Sequence, residues 1–239
     1  MEFTEKKIFV TGASRGIGKS IAQHFKDLGA YVIGTKRNSA SPSHDFCDEW
    51  ICADFINKED IIKCTNYITK KNDIDVLINN AGINEIADFT LIDFDVFEKI
   101  QQVNLLAPFL LSQSVIPGMQ DRLWGRIVNI ASIWSKKSKK GRAAYTSSKF
   151  ALDGMTLALS AEHSVDGILA NSVSPGFIDT EMTRHVLSNI EIEDLKSHVP
   201  MNRLGKVEEI SKLVIWLASE ENTFTTGQNI AIDGGFTGV

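Results

Sequence analysis

Cysteine is scarce in this chain and poorly placed for cross-linking: Cys47, Cys52 and Cys64 are the only three in 239 residues, and no pair stands at C-x-x-C spacing. An odd number without that spacing provides neither a disulfide framework nor a zinc site, and suits a chain kept reduced in the cytoplasm. The five histidines form no ligand-spaced cluster, so no metal is expected. Long apolar runs are missing too. The most apolar stretch, Leu105 to Leu111, has seven residues, against the roughly 20 that a membrane-spanning helix needs. The opening MEFTEKKIFV puts acids where a secretory signal carries a basic region, so neither export nor membrane insertion is expected. Positive charge is not in excess either. The 25 basic and 30 acidic side chains give a formal charge of −5, which leaves no general cationic field for nucleic-acid phosphates.

What is present is the composition of a globular enzyme-sized domain, 43% hydrophobic and 23% charged with 8% aromatics. Apolar runs of strand length alternate with amphipathic stretches of helix length along the whole chain, which predicts a single-domain α/β fold, residues 1–239. Strands are predicted over Lys7 to Val10, Tyr31 to Thr35, Glu49 to Ala53, Val76 to Ile78, Arg126 to Ile130, Leu169 to Val173 and Asn229 to Ile232. Their Val/Ile-rich, barely alternating character suits a parallel sheet of about seven strands buried on both faces. Helices are predicted over Gly16 to Leu28, Glu59 to Lys71, Asp93 to about Gln113, Ala143 to Glu162 and Val207 to Ala218. Residues 38 to 48 read as a polar loop. Residues 180 to 204 break the rhythm, with weakly periodic helical turns and Pro200, and read as a substrate lid at one end of the sheet.

Two motifs carry chemistry. TGASRGIG, Thr11 to Gly18, joins the first strand to the first helix. Glycines at 12, 16 and 18 let the backbone turn tightly and approach a pyrophosphate, which would meet free N–H groups and the positive end of the helix dipole; alone, such a turn could equally be structural. The second motif gathers at the carboxyl ends of the strands, where open α/β sheets bind ligands. Asn79-Asn80-Ala81-Gly82 follows the fourth strand, Ser132 the fifth, and Tyr145 and Lys149 share one face of the next helix at i, i+4 spacing. A neighbouring cation favours a phenolate, so the pair makes a general acid or base, unless Tyr145 is an ordinary half-buried tyrosine and Lys149 a solvated charge.

These motifs occur together and in order, with Ser132 thirteen residues before Tyr145 and Pro175-Gly176 after the sixth strand. The chain thereby resembles the short-chain dehydrogenase/reductase family in its compact Rossmann-type, doubly wound form. The likeness extends from Lys7 to the closing IAIDGG, and is nearest to bacterial 3-oxoacyl-(acyl-carrier-protein) reductases through NNAG, VNLLAPF and SPGFIDTEMT.

The resemblance implies that Tyr145 exchanges a proton with the substrate oxygen and that Ser132 holds that oxygen. Lys149 would lower the tyrosine pKa and bind the nicotinamide ribose, and Asn104 would anchor a relay water. For the cofactor it implies the glycine loop residues Gly12, Ser14, Arg15, Gly16, Ile17 and Gly18. Asp54 would lie at the adenine, and Asn80, Ala81 and Gly82 at the ribose and nicotinamide. Pro175, Gly176, Ile178 and Thr180 would meet the carboxamide. Cofactor choice has its own physical reading. Lys36 and Arg37 end the second strand where an acid would select NADH, and Arg15 faces the same region. Three cations there favour a 2′-phosphate, hence NADPH over NADH.

The resemblance also implies a homotetramer built on the helices at Asp93 to Gln113 and Ala143 to Glu162. Two departures bear on the substrate. Where the carrier-protein reductases place basic docking residues, this chain has Leu123 and Asp166, which cannot steer an acidic carrier. The loop SIWSKKSKKGRAAY instead sets Lys136, Lys137, Lys139, Lys140 and Arg142 beside the site. That rim could attract an anionic or nucleotide-linked sugar, or it could be a solvated loop. Trp124 and Trp134 are expected in the core. A catalytically silent nucleotide-binding protein on the same scaffold would lack some of Asn104, Ser132, Tyr145 and Lys149, and all four are present.

Overall fold

The short Val/Ile-rich runs form strands because each is bounded by glycine or polar turns, and the longer amphipathic segments between them cross back over the sheet as helices. The computed structural model describes residues 1–41, 43–186 and 188–239. Its strands are β1 (Lys7–Val10), β2 (Tyr31–Lys36), β3 (Glu49–Cys52), β4 (Val76–Asn79), β5 (Gly125–Ile130), β6 (Ile168–Pro175) and β7 (Asn229–Ile232). They make one sheet in the order β3-β2-β1-β4-β5-β6-β7, parallel throughout. The order reverses between β1 and β4, and a crevice opens there beyond the carboxyl ends of the strands.

The helices are α1 (Gly16–Asp27), α2 (Lys58–Lys71), α3 (Phe94–Gln101), α4 (Ala107–Asp121), α5 (Ala143–His163), α6 (Glu181–Val186), α7 (Asn189–Ser197) and α8 (Val207–Ala218). Alternate strand residues feed two cores. Ile8, Val10, Val76 and Ile78 pack with Ile21 and Phe25 of α1 and Ile210 and Val214 of α8, while Phe9 and Leu77 pack with Ile61 and Ile68 of α2 and Leu111 and Val115 of α4. The doubly wound, two-faced architecture expected from the sequence is the one observed.

Two local outcomes differ from the sequence reading, and a third feature was not foreseen in detail. The helix expected over Asp93 to Gln113 is two helices joined by a π-helical turn, Gln102–Leu106, and its second half runs on to Asp121. Pro108, just after that turn, has no N–H to continue the regular ladder, and such turns mark functional positions; this one contains Asn104. The connection between β2 and β3 is the loop expected there, with no helix among the described residues. Its covering is an aromatic cluster in which Phe46 stacks on His44 at 4.9 Å and meets Trp50 edge-on at 6.1 Å. The segment from 180 to 204 is more ordered than weak periodicity suggested: α7 starts with a capping box in which Ser188 and Glu191 satisfy each other's backbone N–H. Leu187, inside the expected lid, lies outside the described residues, as does Pro42 in the 38–48 loop.

Helices α2 and α4 approach closely at Gly118, where an added Cβ would lie 2.6 Å from both the carbonyl and the side-chain oxygen of Asn72. Gly118→Ala is therefore expected to cost about 1–3 kcal/mol through overpacking. It should appear as a lowered urea midpoint with the NADPH affinity unchanged, and an unshifted midpoint would show that the two helices separate freely.

Candidate active site

The glycine loop takes its shape from two left-handed residues, Gly12 (φ +65°) and Gly16 (φ +57°), a conformation that side chains resist. Gly18 acts differently: a Cβ there would sit 2.3 Å from the Gly12 carbonyl oxygen, so only glycine lets α1 lie against the loop. The Thr11 hydroxyl accepts from the N–H groups of Asn80 and Ala81, and the Asn80 side-chain amide donates to the Thr11 and Gly12 carbonyls. The loops after β1 and β4 are thus one unit. Arg15, the N-cap of α1, makes no side-chain cap bond, so no side chain of the cap occupies the first-turn N–H groups of that helix. The Ser14 hydroxyl makes no hydrogen bond among the described residues, the Ser14 carbonyl lies 3.3 Å from His44 Nε2, and Ile17 packs on the core.

At the end of β2 the expected trio of cations is not a trio. Lys36 is buried and spends its ammonium on the Ser41 carbonyl (3.0 Å) and the Ser43 hydroxyl (2.7 Å), pinning the 38–48 loop. Its long chain reaches that loop because β2 is covered there by Trp50, whose ring lies 6.0 Å from the ammonium. Arg15 and Arg37 remain exposed. Arg37 pairs with Asp54 at 2.9 Å, and the same carboxylate also accepts from the Ile56 N–H.

The four residues assigned to chemistry converge. Ser132 follows β5 and is 7% exposed, its hydroxyl accepting from the Trp134 N–H. Tyr145 and Lys149 project from the start of α5, with the ammonium 5.6 Å from the phenol ring centre. Lys149 is buried with its ammonium on the Ile130 carbonyl (2.7 Å), and burial pushes its pKa down to about 8. The net effect on Tyr145 is opposite to the sequence expectation. Burial raises its phenol, and the Ser132 hydroxyl and the Arg142 guanidinium pull back only part of the way. Asn104, fully buried, ties three things: its oxygen accepts from the Ile83 N–H, and its amide donates to the Ile83 carbonyl and the Ser148 hydroxyl. A Cβ on Gly82 would lie 3.4 Å from Asn104 Oδ1 and 3.6 Å from Lys149 Nζ, so that glycine keeps the space between them open.

On the far side of the crevice, Pro175 closes β6 and the Gly176 N–H donates to the Ile232 carbonyl. Ile178 is buried, and the Thr180 hydroxyl accepts from the Thr183 N–H at the start of α6. Thr180 faces Gly16 across the gap, 4.0 Å from where a Cβ would stand. Of the tryptophans, Trp134 is in a buried aromatic cluster with Phe177 and Phe236, and Trp124 is half-buried between Lys6 and Arg126, as expected of core residues. The sequence reading did not assign Thr11, which opens the glycine motif, nor Ser148, nor Arg142 as more than one charge in a basic loop.

With this geometry in place, the comparisons with known proteins bear on it. A family model described as enoyl-(acyl carrier protein) reductase matches residues 12–237. An acetoacetyl-CoA reductase of Cupriavidus necator is 34% identical over 97% of this chain and 98% of its own. A 3-oxoacyl-(acyl-carrier-protein) reductase of Rickettsia felis is 34% identical over 98% of each. Among solved structures, a candidate NAD(P)-dependent gluconate 5-dehydrogenase of Beutenbergia cavernae, with NADP bound at low occupancy, superposes with a TM-score of 0.93 at 29% identity, covering 100% of this chain and 99% of that one.

Lys149 also makes a stability prediction. Its folded pKa, about 8, lies below the ordinary lysine value, so the buried charge destabilises the fold below pH 8, and the penalty fades as pH rises toward 10.5. Lys149→Met is expected to be more stable than the parent by about 1–3 kcal/mol at pH 7, with the gain shrinking by pH 10. Urea unfolding at the two pH values checks it; a destabilised variant at pH 7 would refute the assignment of an unfavourable buried charge.

Proposed function

The chain belongs to the short-chain dehydrogenase/reductase family, and on that premise we propose that it is an NADPH-dependent oxidoreductase that reduces the 3-oxo group of an acyl thioester to a secondary alcohol. The observation that carries this reading is the meeting of Ser132, Tyr145 and Lys149 beyond β5, with the glycine loop after β1 two strands further along the same crevice. The two curated relatives act, by their names, on such thioesters.

The residues fit the cofactor. Gly12 and Gly16, with the uncapped start of α1 at Arg15, suit a pyrophosphate. Arg15 and Arg37 suit a 2′-phosphate, Asp54 the adenine, and Pro175, Gly176, Ile178 and Thr180 the carboxamide. Gly82 leaves room for the ribose beside Lys149. When bound, the reduced nicotinamide supplies the hydride. The chain's own groups handle the proton. Tyr145 donates it to the carbonyl oxygen, and the Ser132 hydroxyl donates a hydrogen bond to the same atom. Lys149, with a pKa of about 8, can replenish that proton near neutral pH. Asn104 holds the loop at Ile83 and anchors the water that completes the relay.

The carrier of the thioester is not an acidic protein in this reading. Leu123 is 70% exposed and Asp166 is bonded to Gln120, so that surface offers an apolar group and an anion. A second reading, a dehydrogenase of an anionic sugar derivative, is favoured by the cationic loop 136–142 and by the structural likeness to a candidate gluconate dehydrogenase. Segment 180 to 204 would close over either substrate as a lid. A homotetramer is supported by apolar side chains left exposed on α4 and α5, notably Phe109, Phe150 and Leu157. The free thiols Cys47, Cys52 and Cys64 suit a reducing cytoplasm.

Purified protein given a short 3-oxoacyl-CoA is expected to consume NADPH in preference to NADH. Tyr145→Phe should lower turnover at least about 100-fold, the low end for a general acid, while NADPH still binds by fluorescence titration. Turnover undiminished in that variant sinks the assignment. Leu157→Glu, placing a charge on the exposed α5 face, is expected to lower the mass seen by light scattering, and an unchanged mass would move the subunit contact elsewhere.

A further inference from the structure

Arg142 closes the basic loop at the start of α5, half-buried. It is the N-cap residue of α5, three residues before Tyr145, and its guanidinium lies 5.9 Å from the Trp134 ring. Its Nε is buried without a hydrogen-bond partner among the described residues, and none of its side-chain nitrogens figures in a bond or ion pair there. The other members of the loop have contacts of their own, Lys139 standing 5.7 Å from the Trp134 ring. Lys136 and Lys137 donate to the carbonyls of Asn229 and Phe236, and Lys140 stands 3.5 Å from Asp88. Gly141 and Ala143, the chain neighbours of Arg142, line an open cavity of about 570 Å³ with Asp88, Phe89, Lys139 and Lys140, while the Arg142 side chain turns from that cavity toward Trp134 and Tyr145.

A half-buried guanidinium without an anion is unfavourable, and burial lowers its pKa. An arginine kept in that state beside the proton donor is a binding group awaiting an oxyanion. We propose that Arg142 is a specificity-determining residue that receives a carboxylate or phosphate carried by the substrate close to the reacting carbonyl, with Lys139 and Lys140 steering it in at the mouth. The inference rests on the reading of Tyr145 as proton donor and favours the second reading of the substrate, a compact 3-oxo or hydroxy compound bearing that anion, over an acyl thioester.

The test uses the full chain saturated with NADP. Lithium acetoacetate and ethyl acetoacetate present the same 3-oxo group with and without a carboxylate. The acid is expected to raise the melting temperature at concentrations at least tenfold below the ester, a ratio equivalent to one charge-assisted hydrogen bond. Arg142→Gln should erase that preference and Arg142→Lys should recover part of it. Gluconate and glucose 6-phosphate, tested in the same way, report whether carboxylate or phosphate is the better fit. Equal response of the wild-type protein to acid and ester, with no response to either sugar anion, overturns the proposal even if Arg142→Gln does not fold. A response retained by Arg142→Gln overturns it as well. Thioester reduction fails or succeeds independently: if it is absent while the acid preference stands, the thioester reading falls and the role of Arg142 remains.

Discussion

One hydroxyl holds the crevice together. Thr11 ends its strand with Oγ1 accepting from two successive N–H groups, those of Asn80 and Ala81, and donating to the Ile78 carbonyl at 3.3 Å. The loops leaving β1 and β4 diverge at the switch point of the sheet, and their backbone groups would otherwise need water. Asn80 completes the clamp by donating to the Thr11 and Gly12 carbonyls. Gly18 depends on it as well, since an added Cβ would lie 2.4 Å from Asn80 Nδ2. The glycine loop, the start of α1 and the turn carrying Gly82 therefore move as one piece.

The opposite wall is held by buried polar groups at greater expense. Asn104 sits in a π-helical turn, where the widened ladder lets its side chain face Ile83 and Ser148. Lys149 is kept against the Ile130 carbonyl with no carboxylate beside it, a position that favours the neutral amine. A fold selected for stability alone would replace it by an apolar side chain. In the proposed reaction, proton exchange near neutral pH would supply the reason for keeping it, because an amine with its pKa lowered to about 8 gives and regains a proton where an ordinary lysine does not.

How much of this was legible in the sequence depends on whether the information is local. Strand positions could be read because buried parallel strands carry uninterrupted Val and Ile, and the site could be placed because TGASRGIG, NNAG, Ser132 and Tyr145-x-x-x-Lys149 each fall at a strand end. The π-turn was hidden because its residues keep helical periodicity. The aromatic covering after β2 was hidden because His44, Phe46 and Trp50 lie scattered through what reads as a polar loop and the strand after it. Side-chain direction was the hardest to foresee. Lys36 and Arg37 are adjacent in sequence and point to opposite faces, as strand neighbours do, so one is buried under the loop and the other is exposed.

That last contrast reshapes the account of cofactor choice. A trio of fixed cations would bind a 2′-phosphate by charge alone, but the structure leaves Arg15 free and Arg37 paired with Asp54 at the surface. An exposed ion pair of this kind is worth about 0–1 kcal/mol, whereas hydrogen bonds to an ionised group run to about 1.5–3 kcal/mol. A phosphate can therefore draw Arg37 from Asp54 at little cost. The carboxylate released in this way keeps its bond from the Ile56 N–H and is left facing the neighbouring space. If Asp54 and Arg37 take the roles proposed for them at the adenine and the phosphate, their ion pair couples the two: the displacement that engages the arginine would free the aspartate. A cofactor without the phosphate has no means of separating them, and that difference favours NADPH even with Lys36 withdrawn.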